Sequence, residues 1–175
     1  MPENPMPVSE TRLDDSLFGP LTVHLDTERG AVTVEGEAIP RIVLNRASGT
    51  RADDHIPVGT RDAGLLTLTV AGEAAALAPG RGRLTRRSYR VDVRHAGHHR
   101  RLLPDSVPSS RLLRDGHRLG DLTSQGDGHV LAEWRPDAKP DATDVALAYA
   151  LAAAFGTGAQ PLPMLLADAI GDLIP

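Results

Sequence analysis

The side chains best equipped for chemistry in this chain are arginines and histidines gathered in one stretch. Arg81, Arg83, Arg86, Arg87, Arg90, Arg94, Arg100 and Arg101 fall within 21 residues. A guanidinium is a rigid fork of N–H donors that meets a phosphate or carboxylate with two bonds at once. Several on one face would make an anion site. Read as a strand, residues 84–93 and the arginine after them put Arg86, Arg90 and Arg94 on one face by parity. Arg87 then lies opposite, with Tyr89, Val91 and Val93. The candidate ligand-binding residues are Arg86, Arg90, Arg94 and Arg87; a merely solvated strand face accounts for the same residues.

His95, His98 and His99 are the candidates for a metal site. Their spacing matches no HExxH pattern, Gly97 indicates a turn, and Arg94, Arg100 and Arg101 beside them would repel a cation. Asp53, Asp54 and His55 offer an acid–base group, or simply the polar tip of a loop. His117 and His129 stand on expected strands and are the candidates for catalysis inside a barrel pocket. Tyr149 lies in an apolar helix, where its hydroxyl requires a buried partner.

Other chemistries are excluded outright. The chain has no cysteine, which removes disulfides, thiolate metal sites and cysteine nucleophiles. Its sole lysine, Lys139, is not in a phosphate loop, and Gly80-Arg81-Gly82 lacks the third glycine of a dinucleotide loop. There is no GxSxG elbow. No cofactor is expected.

Charge is strongly segregated. Residues 1–80 carry a net −6, residues 81–118 a net +8 and residues 119–175 a net −6. That pattern implies either an anion-binding face or a basic region neutralised in the fold by the acidic ends. Nucleic acid is disfavoured, because the total charge is −4 and aromatic side chains for base stacking make up only 3% of the chain. The expected partner is an anionic small molecule, a phospholipid headgroup or a protein. The start of the chain lacks the features of a signal peptide and no apolar run is long enough to span a membrane, which points to a cytoplasmic protein. The arginine-over-lysine bias is that of GC-rich, actinobacterial-type coding.

The elements that must position these groups are mostly strands. Three prolines within the first seven residues suggest a flexible arm over residues 1–12. Alternating residues predict a hairpin over 21–35, strands at 41–44 and 65–70, a second hairpin at 111–122 turning on Asp115-Gly116, and a strand at 129–134. Residues 45–63 read as a long surface loop, and residues 73–78 as one helical turn. Residues 141–155 predict a helix that starts at Asp141, stops at Gly156 and is apolar all round, hence buried all round. A short helix over about 163–174 would carry Asp168 and Asp172 on its wet side. The expected architecture is a single β-rich domain over residues 13–175, a closed antiparallel β-barrel or sandwich around a buried alanine-rich helix.

Short strands ending at residues 112–121 and Trp134, with the apolar helix 144–155 after them, resemble the tubby-like superfamily, in its LURP-one-related and scramblase-like branch. Members wrap an antiparallel barrel around a central apolar helix. The resemblance implies a non-enzymatic domain, with phosphoinositide binding in some relatives. Here about twenty residues come after Phe155, more than the family pattern has. The sequence supports two functions: a non-catalytic binding module with an arginine-rich face, or a small bacterial biosynthetic enzyme working in a barrel pocket.

Overall fold

Tight turns set the architecture. At Ala71-Gly72, Ala96-Gly97 and Asp115-Gly116 two successive residues take left-handed φ values, between 49° and 84°. Paired left-handed residues make the hairpin turn whose twist matches that of the strands it joins. The computed structural model describes residues 8–82, 85–106, 109–124 and 126–156. Within them eleven strands succeed one another in chain order, each antiparallel to the next. They are β1 (Val8–Asp15), β2 (Gly19–Asp26), β3 (Ala31–Gly36), β4 (Ile39–Arg46), β5 (Leu66–Val70) and β6 (Glu73–Pro79). The second half comprises β7 (Val91–His95), β8 (His98–Ser106), β9 (Ser109–Arg114), β10 (His117–Ser124) and β11 (Val130–Trp134).

The sheet curls into a nearly closed barrel around helix α1 (Ala142–Phe155). Every residue of α1 from Asp144 to Phe155 is buried. The helix touches β2, β3 and β4 on one side and β8, β10 and β11 on the other. Alternate residues of the strands meet it: Val23 and Leu25, Val32 and Val34, Ile42 and Leu44, Leu112, and Leu122 are all core. At ~1.5 Å per residue the helix is about 21 Å long, close to the ~23 Å of a seven-residue strand. Its alanines let the wall approach closely.

An odd number of strands in an up-and-down order makes the two edges, β1 and β11, run parallel. No hydrogen-bonded ladder joins them among the described residues. Side chains do so instead. Trp134 Nε1 donates to Asp15 Oδ2 at 2.8 Å at one end of the seam, and Ser9 Oγ donates to the Asp127 carbonyl at 3.1 Å at the other.

Three local expectations change. Residues 8–12 belong to β1 and pair with β2, although β1 alternates between polar residues on both faces and so has no hydrophobic period. Residues 73–78 are strand, not helical turn: Ala71-Gly72 folds them back on β5, and β7 pairs their other edge. Pairing on both edges overrides alanine's helical propensity. The loop 47–62 is not simply a surface loop, because Val58 is fully buried and its N–H caps the helix at the Ala154 carbonyl, 2.9 Å away. The helix expected over 163–174 lies outside the described residues.

Candidate functional site

The arginine-bearing strands sort their side chains by parity. On β7 and β8, Val91, Val93, Arg100, Leu102 and Pro104 point inward, and Asp92, Arg94, His99, Arg101, Leu103 and Asp105 alternate outward. On β9 the inward residues are Ser110 and Leu112 and the outward ones Arg111 and Leu113. Arg86 and Arg87 are not on a strand. They form a 3₁₀ turn, Arg86–Tyr89, that precedes β7, so the parity expected for Arg86 against Arg87 does not apply. Arg90 comes directly after the turn, and Arg94 stands exposed on β7.

The outer surface of β7–β10 and this turn carries Arg86, Arg87, Arg90, Arg94, Arg101, Arg111 and Arg118 against Asp92, Asp105 and Asp121. Each of two aspartates is held by several basic side chains. Arg101 Nε lies 2.7 Å from Asp92 Oδ1, His99 Nε2 lies 2.7 Å from the same oxygen, and Arg90 Nε is 3.4 Å from Oδ2. Burial pushes the Asp92 carboxyl up, but the hydrogen bonds from Arg101 and His99 more than offset this and hold it below its ordinary value. Arg111 reaches Asp105 Oδ1 at 3.0 Å, Arg118 reaches Oδ2 at 4.0 Å, and Arg86 donates to the Asp105 carbonyl at 2.9 Å. Arg118 also pairs with Asp121. The Nε groups of Arg111 and Arg118 are buried without a partner. Arg87 and Arg94 have no ion-pair partner among the described residues. Among the described residues cations therefore outnumber acids on this face.

Part of the basic stretch does turn inward, onto the acidic end of the chain. Arg100, with its side chain 2% exposed, donates through Nε to Asp144 Oδ1 at 2.5 Å. Arg114 bonds the other oxygen of Asp144. Asp144 in turn accepts from the Asp141 N–H at 2.8 Å, and Asp141 accepts from the Asp144 N–H at 2.7 Å, a reciprocal cap at the start of α1. This network fastens the helix to β8 and β9. It was not legible as a cluster, since Arg100 and Asp144 are 44 residues apart.

The histidines are dispersed into separate pairs. His95 meets Glu73 at 3.3 Å, His98 meets Asp115 at 2.7 Å, and His99 meets Asp92. No group of three ligands able to hold a metal forms among the described residues. His117 and His129 are exposed, at the start of β10 and just before β11. Asp53 accepts from the His55 N–H at 2.9 Å, an ordinary loop turn. Tyr149 donates to Asp15 Oδ2 at 2.9 Å; burial foremost, then Asp15, pushes its hydroxyl strongly up, so it stays protonated.

Two further cations serve the barrel ends. Arg61 lies against the rings of Tyr89 and Phe155, 5.0 and 5.4 Å from their centres, and donates to the Tyr89 carbonyl at 3.2 Å. Burial pushes it down to about 10. Arg46 donates to the carbonyls of Val58 and Glu28, tying the 47–62 loop to the β2–β3 turn. An open cavity of about 410 Å³ lies beside it, lined by Glu28, Arg29, Arg46, Ala47, Ser48 and Gly49, away from the arginine-rich strands.

Compared with protein-family models, with curated proteins and with solved structures, the chain gives no significant match. No helix of the described residues is long and apolar enough to cross a membrane.

Proposed function

We propose that this domain is a non-catalytic binding module whose outer face on β7–β10 takes an anionic ligand or an acidic protein partner. The observation that carries this reading is the excess of arginines over aspartates on one continuous face, with Arg87 and Arg94 uncommitted among the described residues. Guanidiniums held in place by partial pairing are preorganised, so less ordering is required when an anion arrives. A barrel around a central apolar helix also agrees with membership of the tubby-like superfamily, some of whose members bind phosphoinositides. Action in the cytoplasm belongs to the same proposal.

Arg87 and Arg94 provide the test, because neither holds another described side chain in place. A thermal-shift panel of polyphosphates, phosphorylated metabolites and lipid headgroups is expected to give a stabilisation at low salt that fades at high salt. In the double variant Arg87→Glu with Arg94→Glu that shift should vanish while the unliganded melting temperature stays within a degree or two. Undiminished binding by this variant would remove the face from consideration.

A further inference from the structure

Arg46 ends β4, whose inward side chains include Ile42 and Leu44. Strand parity turns Arg46 to the same side, and it is only 9% exposed. A guanidinium cannot shed its charge, and a buried charge is costly unless a countercharge meets it. Arg46 has none. Nη1 donates to the Val58 carbonyl at 3.3 Å and Nη2 to the Glu28 carbonyl at 2.8 Å. Each of these nitrogens keeps a second N–H, and no carboxylate pairs with the side chain among the described residues.

The fold nevertheless builds a slot for it. A Cβ on Gly30 would come within 2.7 Å of the Arg46 Cβ, and one on Gly59 would overlap Nη1. Both glycines also take left-handed φ values, so only glycine leaves the room that this side chain fills. The guanidinium is thus held in place before any ligand arrives.

Arg46 borders the open cavity of about 410 Å³, which falls within the ~300–1,000 Å³ of small-molecule sites. Arg29, Ser48 and Gly49 share its lining. The Arg29 side chain is exposed, and its pairing with Asp26 is loose at 3.9 Å. The Ser48 hydroxyl and the N–H groups of Ser48 and Gly49 have no acceptor among the described residues. A Cβ on Gly49 would meet nothing within 4 Å, so the turn stands open. Glu28 is the one acid of the lining, against two arginines.

We propose that this cavity is a second anion site, separate from the β7–β10 face, which takes a phosphate group, free or carried by a small molecule, with Arg46 as its anchor. Two guanidiniums, two turn N–H groups and a hydroxyl are more donors than the two oxygens of a carboxylate can use. A phosphate group offers three or more oxygens, and it supplies the countercharge that Arg46 lacks.

The test is a titration of the isotope-labelled full chain at low salt with inorganic phosphate, glycerol phosphate and succinate. It is read at the amides of residues 46–49 and at the Arg46 Nε–H. Saturable shifts are expected with the two phosphates, and the tighter of them tells whether the free ion or the ester is the natural occupant. Arg29→Glu with Ser48→Asp, both at exposed positions, should weaken binding about 10-fold while the melting temperature holds within about two degrees. Glu28→Gln keeps the backbone carbonyl that Arg46 uses and should tighten binding about 2- to 5-fold. A purely structural Arg46 would give neither change. Silence at residues 46–49, saturation by succinate alone, or full binding by the charge-reversed variant overturns the inference. Shifts confined to residues 86–94 and 111–118 also overturn it, and leave the β7–β10 face standing as the anion site.

Discussion

Asp144 concentrates the barrel's electrostatics in one side chain. It is fully buried, caps its own helix, and holds Arg100 and Arg114. Removing one partner of a buried pair leaves the other charge uncompensated, a cost of about 3–5 kcal/mol. Asp144→Ala is therefore expected to lower the urea midpoint severely or prevent folding, whereas Asp141→Ala, at a more exposed position, should cost about 1 kcal/mol as a lost cap. Equal effects in the two variants would mean that the arginines find other partners. A second residue-scale prediction concerns acid. Asp92 is held below its ordinary value of 3.8 in the folded chain. Its contribution is thus fully present above pH ~3.8, the unfolded value, and is lost as pH falls through the lower folded value. Asp92→Asn should be less stable than the parent at pH 6, and the gap should narrow toward pH 3 in urea titrations. A gap that stays constant would remove Asp92 from the acid response.

At the scale of elements, α1 and its ends were fully legible. The Asp141 cap, the Asp144 position and the Gly156 stop are local chemistry, and an all-apolar helix can only be buried. Ala150 sits in mid-helix with no exposed surface. Ala150→Asp should abolish the cooperative melt, an outcome read by circular dichroism against Ala150→Gly, which should cost only about 1 kcal/mol plus lost packing. The hairpin at Asp115-Gly116 was equally plain, because that dipeptide names its turn. The matching Ala71-Gly72 turn has no such signature, since alanine rarely adopts positive φ. That is why β6 read as a helical turn. β1 was missed for a different reason: its inward positions Ser9, Thr11 and Leu13 are only partly buried, so no hydrophobic alternation marks it. The candidate site was legible in composition but not in arrangement. Arg86, Arg87, Arg90 and Arg94 were visible as a run, whereas Arg111 and Arg118 join them only because β8, β9 and β10 are neighbours.

At the scale of the whole molecule, the barrel depends on how its parallel edges are held. Asp15 accepts from the Trp134 indole, the Tyr149 hydroxyl and the backbone N–H groups of Leu17 and Phe18. One carboxylate thus joins β1, β11 and the central helix. Asp15→Ala would strand several donors at ~1–3 kcal/mol each where they stay buried. The expected result is a large loss of stability together with a red-shifted emission from Trp134, the chain's single tryptophan. Unchanged emission would show that the seam is held elsewhere.

The position of α1 in the chain also bears on synthesis. Ten of the eleven strand pairings a closed meander of this size would need are between neighbours in sequence, so they can form as the chain emerges. Their common filling cannot. Until residues 142–155 have left the ribosome, the inward leucines and valines of the strands have nothing to close upon. A nascent chain short of the helix should remain an open, protease-sensitive and aggregation-prone sheet. The last of the described elements would then convert it to the folded state in one step, so that emergence of Phe155 from the ribosome, rather than its synthesis, is the trigger for folding.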